Sequence, residues 1–198
     1  YAYCYKAVPM FAPELELFPY QDTAARFLAN KDRAGLHDEM GVGKTATAIR
    51  AMEYINAKRG MIIVPAMLRE NWINEYRKFT RVELSLCKGV NIHDYVAWKR
   101  KRYNVLVTSY EQATSWAKDF RSTGEVLDFV IMDEAHYLKN SKTKRSKALL
   151  GPKSTGDDGL TEWGEHVWHV TGTPMANDPL DAFTFLALCN CLGGLTEG

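Results

Sequence analysis

An α/β domain, with a mostly parallel central sheet and helices on both faces, is the fold class this sequence predicts, and three observations carry the prediction. Short apolar runs alternate with longer amphipathic segments along most of the chain, the pattern of strands alternating with helices. The runs MIIV, VLV and FVIM are continuously aliphatic and β-branched, as strands buried on both faces are. The polar signatures fall where those runs end, and in an open parallel sheet the loops leaving the carboxyl ends of strands build the ligand site.

The elements follow in order. YAYCYKAVPMF alternates aromatic and small residues with period two, which predicts an edge strand or packed arm over residues 1–16. PYQDTAARFLAN places Ala24, Ala25, Phe27 and Leu28 at helical spacing behind a proline. Pairs of strand and helix then repeat: AGLH and the helix after Lys44, MIIVP and LRENWINEYRKF, LSLC and HDYVAWKRK, NVLVTSY and EQATSWAKDF, FVIMDEAH and a basic helix. GPKSTGDDGLTEWGE, rich in glycine and acid, predicts an exposed loop or hairpin. WHVTGTP precedes a last helix, PLDAFTFLALC, with Asp178 as its cap and Pro179 at its first position. Residues 193–198 resemble the start of a linker.

A chain of 198 residues, 46% hydrophobic and 25% charged, suits one globular domain. The net charge of +1 neither demands nor excludes a polyanionic partner. Cys4, Cys87, Cys189 and Cys191 lack the paired spacing of a zinc site, and they suit a reduced, intracellular protein. No window reaches the roughly 18 apolar residues of a membrane span, so no membrane association is expected. A first residue of Tyr1 rather than Met suggests an excised or processed piece.

HDEMGVGKTATA lies where an apolar stretch gives way to a helical pattern. In a phosphate loop, glycines let backbone N–H groups converge on phosphate oxygens, a lysine reaches the outer phosphates, and a hydroxyl binds magnesium. Gly41, Gly43, Lys44 and Thr45 fit those roles, with Val42 and Ala46 completing the cradle. The strict pattern wants a glycine where Asp38 stands. A second signal closes the run FVIM: Asp133 and Glu134 would be thrust from a buried strand into the same crevice, Asp133 to hold magnesium and Glu134 to orient and polarise the attacking water. Taken alone, DEAH also reads as a polar strand end before a helix cap.

Together these stretches resemble the Swi/Snf-type branch of the superfamily-two helicases, the DNA translocases and chromatin remodellers. LFPYQDTAARFL is similar to the branch's adenine-reading motif and LHDEMGVGKTATAI to its phosphate loop, where an aspartate at the Asp38 position is tolerated. IIVPAMLRENWINEYRKF, VLVTSYEQ, FVIMDEAHYLKNSKTKRSKAL and HVTGTPMANDPLDAFTFLALC follow in the family's order. The resemblance implies the RecA-like P-loop NTPase fold, ATP and Mg2+ as cofactors, and double-stranded DNA as partner. It implies that Gln21 reads the adenine edge, that Lys44, Asp133 and Glu134 serve hydrolysis, and that His136, Thr171, Gly172 and Thr173 couple nucleotide state to the DNA face. It places Pro65, Thr108, Ser109 and Tyr110 against a DNA backbone, with Trp72 read as a core residue.

Such hydroxyls and N–H groups suit phosphate oxygens without reading bases. The basic residues Lys139, Lys142, Lys144, Arg145 and Lys147 suit either electrostatic grip on a duplex or a solvated helix face, and Lys99 to Arg102 suits surface. Family members carry two such lobes, with arginine fingers in the second. A chain ending soon after TGTP is expected to be the first lobe, 17–192, and to hydrolyse ATP poorly by itself. A strand-separating DNA or RNA helicase lobe, and a regulatory module that binds nucleotide or DNA without catalysis, stand as alternatives. The expected location is intracellular: the cytoplasm of a prokaryotic or virus-infected cell, or the nucleus of a eukaryote.

Overall fold

The computed structural model describes residues 16–39, 41–138, 140, 142–151, 159–172 and 189. The expected N-terminal arm up to residue 15, Lys139, Thr173, the Asp178 cap with its helix, and the linker at 193–198 lie outside the described residues.

Helices α1 (Pro19–Ala29), α2 (Lys44–Tyr54), α3 (Arg69–Phe79), α4 (Ile92–Lys99), α5 (Tyr110–Arg121) and α6 (Lys144–Leu150) alternate with strands β1 (Arg33–Leu36), β2 (Gly60–Val64), β3 (Leu86–Gly89), β4 (Val105–Ser109), β5 (Leu127–Asp133) and β6 (Gly164–Val170). The strands form one sheet in the order β1-β6-β5-β2-β4-β3, and every pairing is parallel. The chain has the α/β architecture that the strand and helix alternation predicts and the RecA-like fold that the resemblance implies.

Because β2 and β4 are buried at every residue, their side chains feed two cores. Ile62, Val64, Val105, Val107, Ile131 and Trp168 pack under α1, α2 and α3. On the opposite face Met61, Ile63, Leu106, Val130 and Met132 pack with Tyr95, Trp98 and Phe120 from α4 and α5. This two-sided burial explains why the central strands show no alternation in sequence.

Capping fixes where several helices begin, and hence which loops face the carboxyl edge. Asn91 Oδ1 accepts from the N–H groups of His93 and Asp94 at 2.8 and 3.2 Å, while Asp94 Oδ2 accepts from Val90 N and Asn91 N, a reciprocal capping box for α4. Ser109 Oγ caps α5 by accepting from Gln112 N at 3.3 Å. Pro19 opens α1, where its missing N–H costs nothing.

The expectation of an exposed loop over Gly151 to Glu165 is corrected in its described part. Gly159 leads into a 3-10 turn, Leu160–Trp163, in which Leu160 and Thr161 are fully buried. Thr161 Oγ1 donates to the Leu149 carbonyl at 2.8 Å. A Cβ on Gly159 would come within 2.4 Å of the Leu149 carbonyl oxygen and the Gly151 nitrogen. Glycine here permits backbone to approach backbone, which composition does not distinguish from loop freedom.

Candidate functional site

The sheet order sets out the carboxyl rim as a row of strand ends. First comes β1 with the loop into α2, then β6 with Thr171, then β5 with Asp133 and Glu134. Beyond them lie β2 with Pro65, β4 with Ser109 and β3 with Gly89. One half of the rim therefore carries the loop and the acids, and the other carries the residues expected at a nucleic-acid backbone.

The loop turns on two glycines in the left-handed region, Gly41 at φ +85° and Gly43 at +82°. At Gly43 the freedom is doubly required, since a Cβ would sit 2.1 Å from Gln21 Nε2. No side chain caps α2 at Gly43, and no acid stands in its first turn, so the helix presents its first N–H groups and positive dipole end to the crevice. Lys44 Nζ donates to the carbonyls of Asp38 and Glu39 at 2.8 and 2.7 Å, which holds the ammonium at the loop's mouth. Thr45 follows it on the first turn, and Ala46 is buried beneath. This is a cradle suited to a polyanion.

Gln21 is 7% exposed, and both ends of its amide are engaged. Its oxygen accepts from Phe18 N at 2.9 Å and its nitrogen donates to the Val42 carbonyl at 2.8 Å. Tyr20 Oη donates to the same carbonyl at 3.2 Å. The start of α1 is thereby pinned to the phosphate-type loop, and Gln21 keeps a second N–H and a second lone pair for another partner.

Asp133, 8% exposed, ends β5 with both oxygens held. Oδ1 accepts from Glu134 N at 2.9 Å and Oδ2 from Trp72 Nε1 at 2.6 Å. Burial pushes its carboxyl above the usual range, against the bonds from Trp72 and Glu134, and the Lys44 charge pulls it down. The ammonium of the loop is thus felt at the acid, two strands away in the sheet. A buried carboxylate on this rim is the kind of oxygen ligand that a hard divalent cation takes.

Glu134 has φ +51°, a left-handed conformation that costs a non-glycine residue about 1–3 kcal/mol and clusters at functional sites. Its Oε2 lies 3.1 Å from His136 Nδ1, within ion-pair range but off the line of a hydrogen bond. The same imidazole nitrogen is 3.5 Å from Thr171 Oγ1. Thr171, fully buried, also donates its N–H to the Leu36 carbonyl at 3.1 Å, so it touches the acid loop through His136 and the end of β1 through its backbone. Gly172 follows it and is half-buried.

The residues expected at a DNA backbone are placed differently from one another. Pro65 heads an exposed 3-10 turn, Ala66–Leu68, whose Met67 is 85% exposed. Thr108, Ser109 and Tyr110, by contrast, are buried, and their hydroxyls are engaged within the chain. Thr108 Oγ1 donates to the Gly89 carbonyl at 3.2 Å, Ser109 caps α5, and Tyr110 Oη donates to the Asp133 carbonyl at 2.7 Å. Burial and the Asp133 charge hold the Tyr110 phenol far above its ordinary range, so it stays a donor. Arg145 pairs with Glu111 at 2.7 Å and lies 5.3 Å from the Tyr137 ring centre, so it is bound to its neighbours and not simply solvated.

Trp72, a core residue by its sequence pattern, is 1% exposed, and its indole also donates to Asp133, a bond the pattern does not disclose. A buried indole N–H requires an acceptor, a signal that says a partner exists without saying which.

A second pair of rings, His37 and His169, stands 4.9 Å apart beside β1. Burial pushes His169 down to about 3 from 6.5, and the His37 charge adds to the fall. The unfolded chain therefore binds the extra proton across that interval, so this stabilisation is complete above pH 6.5 and is lost as the pH falls toward 3. The slope reaches about 1.4 kcal/mol per pH unit for one proton. Urea midpoints measured from about pH 7 to about pH 4.5 should fall more steeply for the native chain than for His169→Gln.

Residues 20–192 match the SNF2-related domain family. The chain is 33% identical over 193 residues to a rat SWI/SNF-related matrix-associated actin-dependent regulator of chromatin, subfamily A containing DEAD/H box 1, covering 87% of this chain and 17% of that protein. It is 29% identical over 192 residues to the ATP-dependent helicase fft3 of Schizosaccharomyces pombe, covering 89% of this chain and 20% of the relative. Among solved structures, the Sulfolobus solfataricus SWI2/SNF2 ATPase core in complex with dsDNA superposes with a TM-score of 0.71 at 21% identity, over 94% of this chain and 38% of that one. The chain spans about a fifth or less of the length of these curated relatives.

Proposed function

The chain belongs to the SNF2-related domain family, and from that premise we propose that it is the ATP-binding lobe of a DNA-dependent ATPase that moves along double-stranded DNA. The observation that carries the reading is the Lys44 ammonium, held at the mouth of an uncapped helix N-terminus on the same carboxyl rim as the buried carboxylate that ends β5.

In this reading the loop amides and Lys44 bind the β- and γ-phosphates, and Thr45 and Asp133 hold the cation. Magnesium, when bound, neutralises charge that develops on the phosphate oxygens. Glu134 orients water, and its strained backbone is the cost of aiming the carboxylate into the crevice. Gln21, already bound to the loop through Val42, offers its remaining donor and acceptor to adenine. His136 and Thr171 bridge the acid loop to the end of β1, the path along which nucleotide state reaches the rest of the lobe.

A second RecA-like lobe belonging to the same parent, with its arginine finger, completes the enzyme in this proposal. Such a group is worth roughly a thousandfold or more in rate, so the present chain alone hydrolyses ATP slowly. The location is intracellular. A strand-separating helicase is the competing reading, favoured by the helicase name of the yeast relative. Fluorescence anisotropy with duplex DNA, single-stranded DNA and duplex RNA of equal length, each with a non-hydrolysable Mg-ATP analogue, separates the two. Preference for the DNA duplex is expected; preference for the single strand or for RNA overturns the translocase reading.

A further inference from the structure

Asp133 occupies the middle of the carboxyl rim, on the strand between the half that carries the phosphate-type loop and the half that carries β2, β4 and β3. Two aromatic donors reach it from that second half. Trp72 stands on α3, directly after the exposed turn headed by Pro65, and donates to the carboxylate; Tyr110 opens α5 after the Ser109 cap and donates to the carbonyl of the same residue.

Each donor is anchored to its part of the rim. Leu68 N donates to the Pro65 carbonyl at 2.8 Å, and Arg69 spans from Ala66 to the Gly89 carbonyl, which ties the turn, the start of α3 and the end of β3 together. Gln112 donates to the Val90 carbonyl at 3.0 Å, which ties the start of α5 to the same place. Trp72 and Tyr110 are 1% and 0% exposed, so both sit in the close-packed interior, where a side chain moves with its neighbours.

We infer that Trp72 and Tyr110 are positioning residues that couple the two rim segments to the orientation of Asp133. Trp72 sets the rotation of the carboxylate and Tyr110 sets the backbone that bears it. A displacement of either helix start, as when a duplex presses on the Pro65 turn or the beginning of α5, moves one of the two anchors of the acid. The buried Tyr110 side chain thereby has a role at a nucleic-acid face without touching nucleic acid. This inference rests on the proposed function, since it needs both a nucleotide and a duplex to bind.

The test is the thermodynamic coupling between the two ligands on the 198-residue chain. Affinity for a non-hydrolysable Mg-ATP analogue is measured with and without a saturating DNA duplex, for the native chain, Trp72→Phe, Tyr110→Phe and Trp98→Phe. The last is the packing control: Trp98 is equally buried, but its indole donates to the Asn104 carbonyl at the opposite end of the sheet. The native chain should show a duplex-dependent change in affinity of about fivefold or more, which both Trp72→Phe and Tyr110→Phe bring to within about twofold of unity, while Trp98→Phe retains it.

Tyr110→Phe removes a single oxygen, so it carries the test if Trp72→Phe does not fold. Unchanged coupling in both variants, equal loss in Trp98→Phe, or two ligands that bind the native chain independently would each overturn the inference and leave the proposed function standing. Failure of the native chain to bind either ligand would overturn the proposed function itself, and the inference with it.

Discussion

Lys44→Ala is expected to lower the affinity of the chain for Mg-ATP by about tenfold to a thousandfold. The ammonium is the charged donor of the cradle, and hydrogen bonds to charged groups contribute about 1.5–3 kcal/mol each, where 1.4 kcal/mol is a factor of ten. The same ammonium closes the loop by donating to the Asp38 and Glu39 carbonyls, so its loss also leaves the loop less ordered before the ligand arrives. Both effects weaken binding. The fold should be unaffected, because the Lys44 side chain makes its bonds within the loop and not to either core. Calorimetric titration with the magnesium complex, beside thermal melts of both proteins, measures the two quantities separately. Native-like affinity in the variant would remove Lys44 from the site.

Glu134→Gln should separate binding from chemistry. The amide retains the shape of the side chain, which sits on a left-handed backbone, but it lacks the charge that polarises water in the proposed reading. Loss of a positioned acid or base of this kind slows the chemical step by about a hundredfold to ten-thousandfold. Affinity for Mg-ATP should stay within about a factor of two or three, since Glu134 is not among the groups that grip phosphate. Because the lobe alone turns over slowly in this account, single-turnover hydrolysis with protein in excess is the suitable measurement. Equal rates for the native and variant chains would mean that another group orients the water, and parallel loss of binding and rate would mean that Glu134 supports the cradle instead.

Much of this arrangement is legible before folding. The continuous apolar runs MIIV, VLV and FVIM, at residues 61–64, 105–107 and 129–132, identify central parallel strands because a strand covered on both faces lacks alternation. The loop at Gly41 to Thr45 and the acids at Asp133 and Glu134 stand out in the sequence because phosphate cradles and metal-holding acids need those residue types at strand ends, and the fold brings both to one rim.

What sequence does not disclose is which tertiary partner each polar group takes. VTSYE shows hydroxyls at a strand end, which suits a solvent-facing phosphate contact and an internal anchor equally well. The depth of β4 in the sheet makes them anchors. Trp72 and Asp133 are separated by 61 residues, and no local pattern joins an indole on one helix to a carboxylate on another element. Gly159 reads as loop composition, yet it serves a contact between two backbones. Asn91, Ser109 and Thr143 are residue types that cap helices, and each accepts from a backbone N–H of the turn that follows it.

The central claim is that the loop around Gly43 and the acid at Asp133 serve one magnesium-bridged nucleotide. Isothermal titration of the chain with a non-hydrolysable ATP analogue, with magnesium and with magnesium chelated, tests it most directly when repeated on Asp133→Asn. The account predicts tight binding that depends on magnesium in the native chain and a loss of that magnesium dependence in the variant. No heat of binding in the native chain, or an identical magnesium dependence in both proteins, would contradict it.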